Sequence, residues 1–261
     1  MKQEKLINDL IEDLKNLGYI KACYLGGALG RGVEDQYADV DLYCCFSPEY
    51  EEDYERIKFK LFERYASIAY YKTDIRKENN KNIYIETIVY VDGLILRIHH
   101  IYENVDGIIE VDCNNKIIYN DLGVLIESGK SDLNLTNEEL GKLIDGLALD
   151  GLEFYYTYMR NDYPGMMLLS TKMFENFSII LRYFDKPNNA KLASINIMSD
   201  LNDESKRKYI DVIRNYSFNK IKQFVVLMLK TIDKYLISVP VFVAEHFNYD
   251  FYKFVLDKFM D

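Results

Sequence analysis

The chain has 261 residues, 49% of them hydrophobic and 28% charged, which excludes general disorder and allows one large domain or two modest ones around separate cores. Its formal net charge of -10 argues against long polyanions as partners, because phosphate-backbone binding calls for clustered Lys and Arg. A small cationic substrate suits that field better, although many acidic proteins carry no such meaning.

The opening stretch MKQEKLINDLIEDLKNLGYI places Leu6, Ile7, Leu10, Ile11, Leu14 and Leu17 at helical spacing, so it reads as a helix over about 3–17 and not as an apolar leader. A strand over 21–25, a glycine turn, a short helix near 28–33 and a strand over 39–46 are expected next. SPEYEE introduces a helix over 49–64, with Ser47 as its cap and Pro48 in its first turn. NIYIETIVYVDGLILRIHHIY reads as a hairpin turned at Asp92-Gly93, a dipeptide preferred in tight type I′ turns, and KIIYND as one more strand.

From SDLNLTNEEL onward the signals are helical. Thr136 and Glu139 form a capping box, and stretches such as MMLLSTKMFENFSIILRYF repeat with a period near 3.6. The chain therefore divides into an α/β half, 1–130, and an all-helical half, 131–261. The aromatic run FYYTYMRNDY at 154–163 reads as bundle core in preference to a ligand box. Cys23, Cys44, Cys45 and Cys113 show no CxxC spacing and read as reduced core or near-core residues. Reduced cysteines imply a cytoplasmic compartment, and no run is long enough to span a bilayer.

The chemistry concentrates in YLGGALGRGVEDQYADVDLYCCF, residues 24–46. Side chains alternate faces along a strand, so Val40, Leu42 and Cys44 share one face while Asp39, Asp41 and Tyr43 share the other. Two carboxylates two residues apart lie about 6 to 7 Å apart at the backbone, close enough to converge on one Mg²⁺. The preceding GGALGRG lets the backbone of Gly26, Gly27 and Ala28 approach a phosphate, its N–H groups forming an anion nest at the start of a short helix. A solvated strand and an ordinary glycine turn are the plain alternatives for each half taken alone. Together they describe a site for phosphoryl or nucleotidyl transfer.

The stretch LGGALGRGVEDQYADVDLY resembles the signature of the DNA polymerase β-like nucleotidyltransferases: a glycine pair, a spacer of about ten residues, then Asp-x-Asp flanked by apolar residues. Within that superfamily it looks most like the antibiotic-modifying branch, especially the lincosamide nucleotidyltransferases, whose equivalent stretch also runs glycine turn, basic residue, Gly, acidic residue and DQYSD. The hairpin, KIIYNDLG and the helical half fall in matching order, while the strong match covers residues 24–46. The resemblance implies an α+β architecture: an N-terminal nucleotidyltransferase fold with a mixed sheet flanked by helices, then a helical bundle that helps hold the acceptor. It also implies an NTP donor, ATP by expectation, and Mg²⁺ on Asp39 and Asp41.

Two positions depart from the family pattern. Its serine falls on Ala28, and the acid that many members carry in the second strand of the hairpin falls on His99. Arg31 is a candidate phosphate contact in compensation for the serine, a solvated side chain being the plain alternative. If Asp92-Gly93 is a two-residue turn, Glu86 lies directly opposite His99, and Ile88 opposite Arg97. Glu86 would then act as base or third acid, or orient His99 as the proton acceptor; a surface salt bridge is the plain alternative. His100 reads as structural.

The leading expectation is transfer of a nucleoside monophosphate, AMP first, from an NTP to a hydroxyl of a small cationic antibiotic, with release of pyrophosphate. By resemblance the acceptor is a lincosamide before an aminoglycoside. A nucleotidyltransferase acting on a protein or RNA, and a catalytically weakened nucleotide-binding regulatory module, are the alternatives. Tyr156 and Arg160, one helical turn apart, are guesses for acceptor contacts, with core packing the competing reading for the tyrosine. Apolar stretches such as FVVLMLK serve either a bundle core or a homodimer face; no nucleic-acid or membrane partner is expected.

Overall fold

In the computed structural model, which describes residues 2–78, 81–101, 107–121 and 123–260, the chain divides into two compact units, Met1–Ser131 and Asp132–Asp261. The first alternates helix and strand: α1 (Lys2–Asn16), β1 (Ile20–Leu25), α2 (Gly27–Gly30), β2 (Val40–Phe46), α3 (Glu51–Glu63), β3 (Ile68–Glu78), β4 (Lys81–Tyr90), β5 (Ile95–Ile101), β6 (Ile109–Val111), β7 (Lys116–Asn120) and β8 (Leu125–Glu127). Six strands form one mixed sheet in the order β3-β4-β5-β2-β1-β7, in which only β2 and β5 run parallel. β6 and β8 pair separately.

Alternation along the strands gives this sheet two distinct faces. On one, Val40, Leu42, Cys44, Ile88 and Leu96 join Leu10 and Leu14 of α1 and Tyr54 and Phe62 of α3 in a buried cluster. On the other, Ala22, Tyr24 and Cys45 pack with Val111, Val124 and Leu125 around the small sheet. Cys44 and Cys45, adjacent in β2, thus enter opposite clusters as alternation requires, while Cys113 is exposed and not near-core.

The hairpin differs from the sequence expectation by one residue. The Tyr90 N–H donates to the Leu94 carbonyl at 2.9 Å and the Gly93 N–H to the Tyr90 carbonyl at 2.9 Å, so the loop is Val91-Asp92-Gly93. Gly93 has φ +85°, the left-handed conformation that closes a three-residue loop. The Asp92 carboxylate accepts from the Leu94 N–H at 3.2 Å and steadies the turn. Pairing therefore sets Glu86 against Ile98, Thr87 against Arg97, Ile88 against Leu96 and Ile85 against His99. A one-residue slip moves side chains to the other face, and Glu86 consequently shares a face with Ile88, Leu96 and Ile98, away from Arg97 and His99.

Two other expectations need correction. The N-cap of α3 is Tyr50 without a side-chain cap; Ser47 instead accepts the Tyr50 N–H with its carbonyl, through a 3₁₀ turn at Pro48–Tyr50. β3, unforeseen in the sequence, is an edge strand whose exposed Tyr70, Lys72 and Ile75 blur the apolar alternation that would have marked it.

The second unit contains α4 (Asn137–Met159), α5 (Tyr163–Asp185), α6 (Ile197–Asp200), α7 (Asp203–Arg214), α8 (Ile221–Leu236), α9 (Val241–Ala244) and α10 (Tyr249–Lys258). The Thr136–Glu139 capping box opens α4 as expected, and Asp162 caps α5 with Pro164 in its first turn. Leu147, Phe177, Phe224, Met228, Leu229 and Val255 are fully enclosed in its core, so FVVLMLK serves the bundle. The aromatic run divides: Phe154 is buried, Tyr155 packs edge-on against Phe259, and Tyr156 is 49% exposed, contrary to core packing. Arg160 is the exposed C-cap of α4. Among the described residues no helix is long and apolar enough to cross a membrane.

Candidate active site

The site is built where β1 turns back over β2. The Gly26 N–H donates to the Asp41 carbonyl at 2.9 Å, fastening the glycine turn to β2. Gly27 has φ +61°, and a Cβ at that position would lie 2.5 Å from Asp41 Oδ2. Only glycine lets the backbone pass so close to the carboxylate. The amides of Gly27 and Ala28 open α2, where no preceding turn offers acceptors, and are the donors an anion would use. Ala28 contributes no hydroxyl. Arg31 follows as the partly buried C-cap, its backbone N–H bonded to the Gly27 carbonyl. From α1, the buried Gln3 amide donates to the carbonyls of Asp35 at 3.1 Å and Ala38 at 3.2 Å, which fixes the segment leading into Asp39.

Asp39 and Asp41 stand on the same face of the sheet, their side chains 37% and 20% exposed. The parallel register puts Arg97 beside Asp41 and His99 beside Tyr43. The Arg97 guanidinium donates to Asp39 Oδ2 and, at 3.3 Å, to Asp41 Oδ1. The His99 ring stacks on Tyr43 at 4.0 Å between centroids, and Tyr43 stacks on Tyr24 at 4.7 Å. This column holds the imidazole with Nε2 at 3.9 Å from Asp41 Oδ1, beyond hydrogen-bond reach. Nε2 is buried and has no hydrogen-bond partner among the described residues. Burial pushes the Asp41 carboxyl up, yet the carboxyl is held below its usual value, with the Arg97 guanidinium among the causes. Burial works against the Arg97 charge too, and the two aspartates more than compensate.

Arg97 is the residue that sequence reading missed. Its parity with His99 on β5 was legible, but its place between the aspartates depends on β5 running parallel beside β2, a pairing between strands far apart in sequence.

Glu86 lies on the other face, 1% exposed. Its Oε1 accepts from Tyr71 Oη at 2.6 Å and Lys58 Nζ at 2.8 Å; its Oε2 accepts from Tyr54 Oη and lies 2.9 Å from His100 Nε2. Burial alone would raise its carboxyl, yet His100, Lys58 and Tyr54 together bring it down to about 2. The expectation that Glu86 faces His99 is therefore corrected; its histidine is His100, which also stacks on Phe46 at 4.3 Å as a structural residue. A cavity of about 260 Å³ opens beside this network. Both Glu86 oxygens are already committed to two partners each, so Glu86 itself offers that cavity no free acceptor.

The donor set on the Asp39 face fits Mg²⁺. Among the described residues no three His, Cys, Asp or Glu side chains form a metal-holding group by themselves. Mg²⁺ does not require one, since it commonly takes one or two carboxylates and fills its remaining positions with waters and substrate phosphates. The close approach of the glycine turn to Asp41 is the feature such an arrangement needs.

No protein-family model matches the chain, and no curated protein matches it. Among solved structures, it is similar to the crystal structure of an aminoglycoside 6-adenyltransferase from Bacillus subtilis, at 12% sequence identity, over 100% of this chain and 97% of that one, with a TM-score of 0.39.

Proposed function

We propose that the chain is a nucleotidyltransferase that moves a nucleoside monophosphate, AMP first, from an NTP to a hydroxyl of a small cationic antibiotic. The observation that carries this reading is the contact between the glycine turn and Asp41: a phosphate-binding backbone and a metal-binding carboxylate meet at one point. Asp39 and Asp41 would hold Mg²⁺, which when bound neutralises charge on the phosphates. The amides of Gly27 and Ala28, with Arg31, hold the triphosphate. His99, stacked in place and with Nε2 uncommitted, takes the proton of the acceptor hydroxyl. The hydroxyl oxygen then forms its bond to the α-phosphorus as the bond to the leaving oxygen breaks, releasing pyrophosphate.

A lincosamide remains the favoured acceptor by the likeness of residues 24–46, an aminoglycoside the second, and the net charge of -10 suits either cation. Tyr156 and Arg160, both exposed on the second unit, stay candidates for acceptor contacts. One observation favours a second reading, a nucleotide-binding regulatory module: an imidazole stands where the family places a third acid. Intact-mass detection of nucleotide addition to a panel of lincosamides and aminoglycosides, with each NTP and Mg²⁺, separates the two. A gain of one nucleoside monophosphate names donor and acceptor; NTP binding without addition to any compound supports the module.

A further inference from the structure

Asp39 and Asp41 would repel each other if ionised side by side on one strand face, and Arg97 resolves that repulsion. Its guanidinium bonds both carboxylates from the neighbouring parallel strand, in a position set by the Asp41–Arg97 register. The space between two carboxylates is also where a divalent cation would bind. We infer that Arg97 is a resident counter-ion of the aspartate pair that must swing aside for the metal, so that the divalent cation enters with the nucleoside triphosphate and not ahead of it. This rests on the reading of the site as a nucleotidyltransferase centre.

A free divalent ion entering alone competes with a tethered cation whose effective concentration at the carboxylates is high. It also brings two positive charges against a guanidinium already bonded to both carboxylates. A triphosphate removes both obstacles. Seated on the Gly27–Ala28 backbone, which lies against Asp41, it offers the guanidinium phosphate oxygens as a new bidentate partner while the metal takes the carboxylates. Arg97 therefore leaves one set of anionic oxygens for another without becoming an unpaired, half-buried charge. Arg97 is on this account a positioning residue that couples metal binding to donor binding.

The test uses Mn²⁺ as the metal probe and the electron paramagnetic resonance of free Mn²⁺ as the readout. The full chain is compared as wild type, Arg97→Gln, Arg97→Lys and the double variant Arg97→Gln with Asp41→Asn, with and without a non-hydrolysable ATP analogue. Without nucleotide, Arg97→Gln should bind Mn²⁺ about tenfold tighter than wild type, the scale of one partly desolvated charge. Arg97→Lys, which lacks the fork that spans both carboxylates, should gain less, and the double variant should lose the gain. The analogue should tighten Mn²⁺ binding more in wild type than in Arg97→Gln. Thermal unfolding with and without Mn²⁺ gives a second readout, a larger upward shift in Arg97→Gln. Equal or weaker Mn²⁺ binding by Arg97→Gln overturns the inference and leaves the two-carboxylate site standing. No Mn²⁺ binding by any of the proteins, with or without the analogue, overturns both.

Discussion

The two faces of the main sheet each carry a carboxylate, a histidine and a cation, and they use them in opposite ways. Under α3, Glu86 is enclosed and held by two tyrosine hydroxyls, Lys58 and His100. The network joins α3 to β3, β4 and β5 and occupies both oxygens of Glu86. On the opposite face Asp39 and Asp41 are partly open, share one guanidinium, and face an imidazole nitrogen with no hydrogen-bond partner among the described residues. A buried charge with all its hydrogen bonds made is a feature of the fold. Partly exposed charges beside a glycine turn that passes close to Asp41 are the features on which the proposed nucleotide site rests.

The largest effect expected from breaking this contrast comes from Asp41→Asn. Nucleotide transfer should fall by roughly 10³-fold, the scale of losing one preorganised charged group at a reacting centre, while the unfolding midpoint changes little; steady-state kinetics and thermal melts together check it. Glu86→Gln should do the reverse. Breaking a buried, paired charge should lower the unfolding free energy by about 3 kcal/mol, measurable by urea titration, with transfer per folded molecule preserved. Glu86 also carries a pH signature. Its carboxyl sits at about 2 in the folded chain against roughly 4.3 when unfolded. Its contribution is complete above the unfolded value and is lost as pH falls through the interval toward 2, because the unfolded chain takes up the proton first. Acid unfolding of wild type should steepen there, and Glu86→Gln should remove that part of the slope.

Much of this contrast was already legible in the chain, and the part that was not has a definite cause. The glycine turn, the Asp-x-Asp alternation, the capping box at Thr136 and the switch from mixed to helical structure are all local patterns. Each is set by residues within a few positions of one another. The assignment of Glu86 to a face depended on a single unit of register. Asp92-Gly93 signals a hairpin, but whether the loop holds two or three residues is decided by the Tyr90 N–H reaching the Leu94 carbonyl and the Gly93 N–H reaching the Tyr90 carbonyl. Arg97 and the Tyr24–Tyr43–His99 column required the order of strands in the sheet, which no short stretch carries. β3 escaped because an edge strand with charged residues lacks an apolar face to announce it.

Two smaller effects sharpen the comparison further. His99→Asn should lower kcat by roughly 10²-fold, the contribution of a positioned proton acceptor, with NTP affinity unchanged; a loss confined to KM would place His99 in binding instead. Thr136→Ala, far along the chain from either face, should cost about 1 kcal/mol through the lost N-cap of α4. With transfer untouched, it supplies the baseline for a purely structural change.

The most direct test of the central claim is a single-turnover measurement of nucleotide addition, normalised to folded protein, for wild type, Asp41→Asn and Glu86→Gln. The account expects transfer by wild type and by folded Glu86→Gln, and its loss in Asp41→Asn. Transfer that survives Asp41→Asn but disappears with Glu86→Gln would put the chemistry on the other face of the sheet and contradict it.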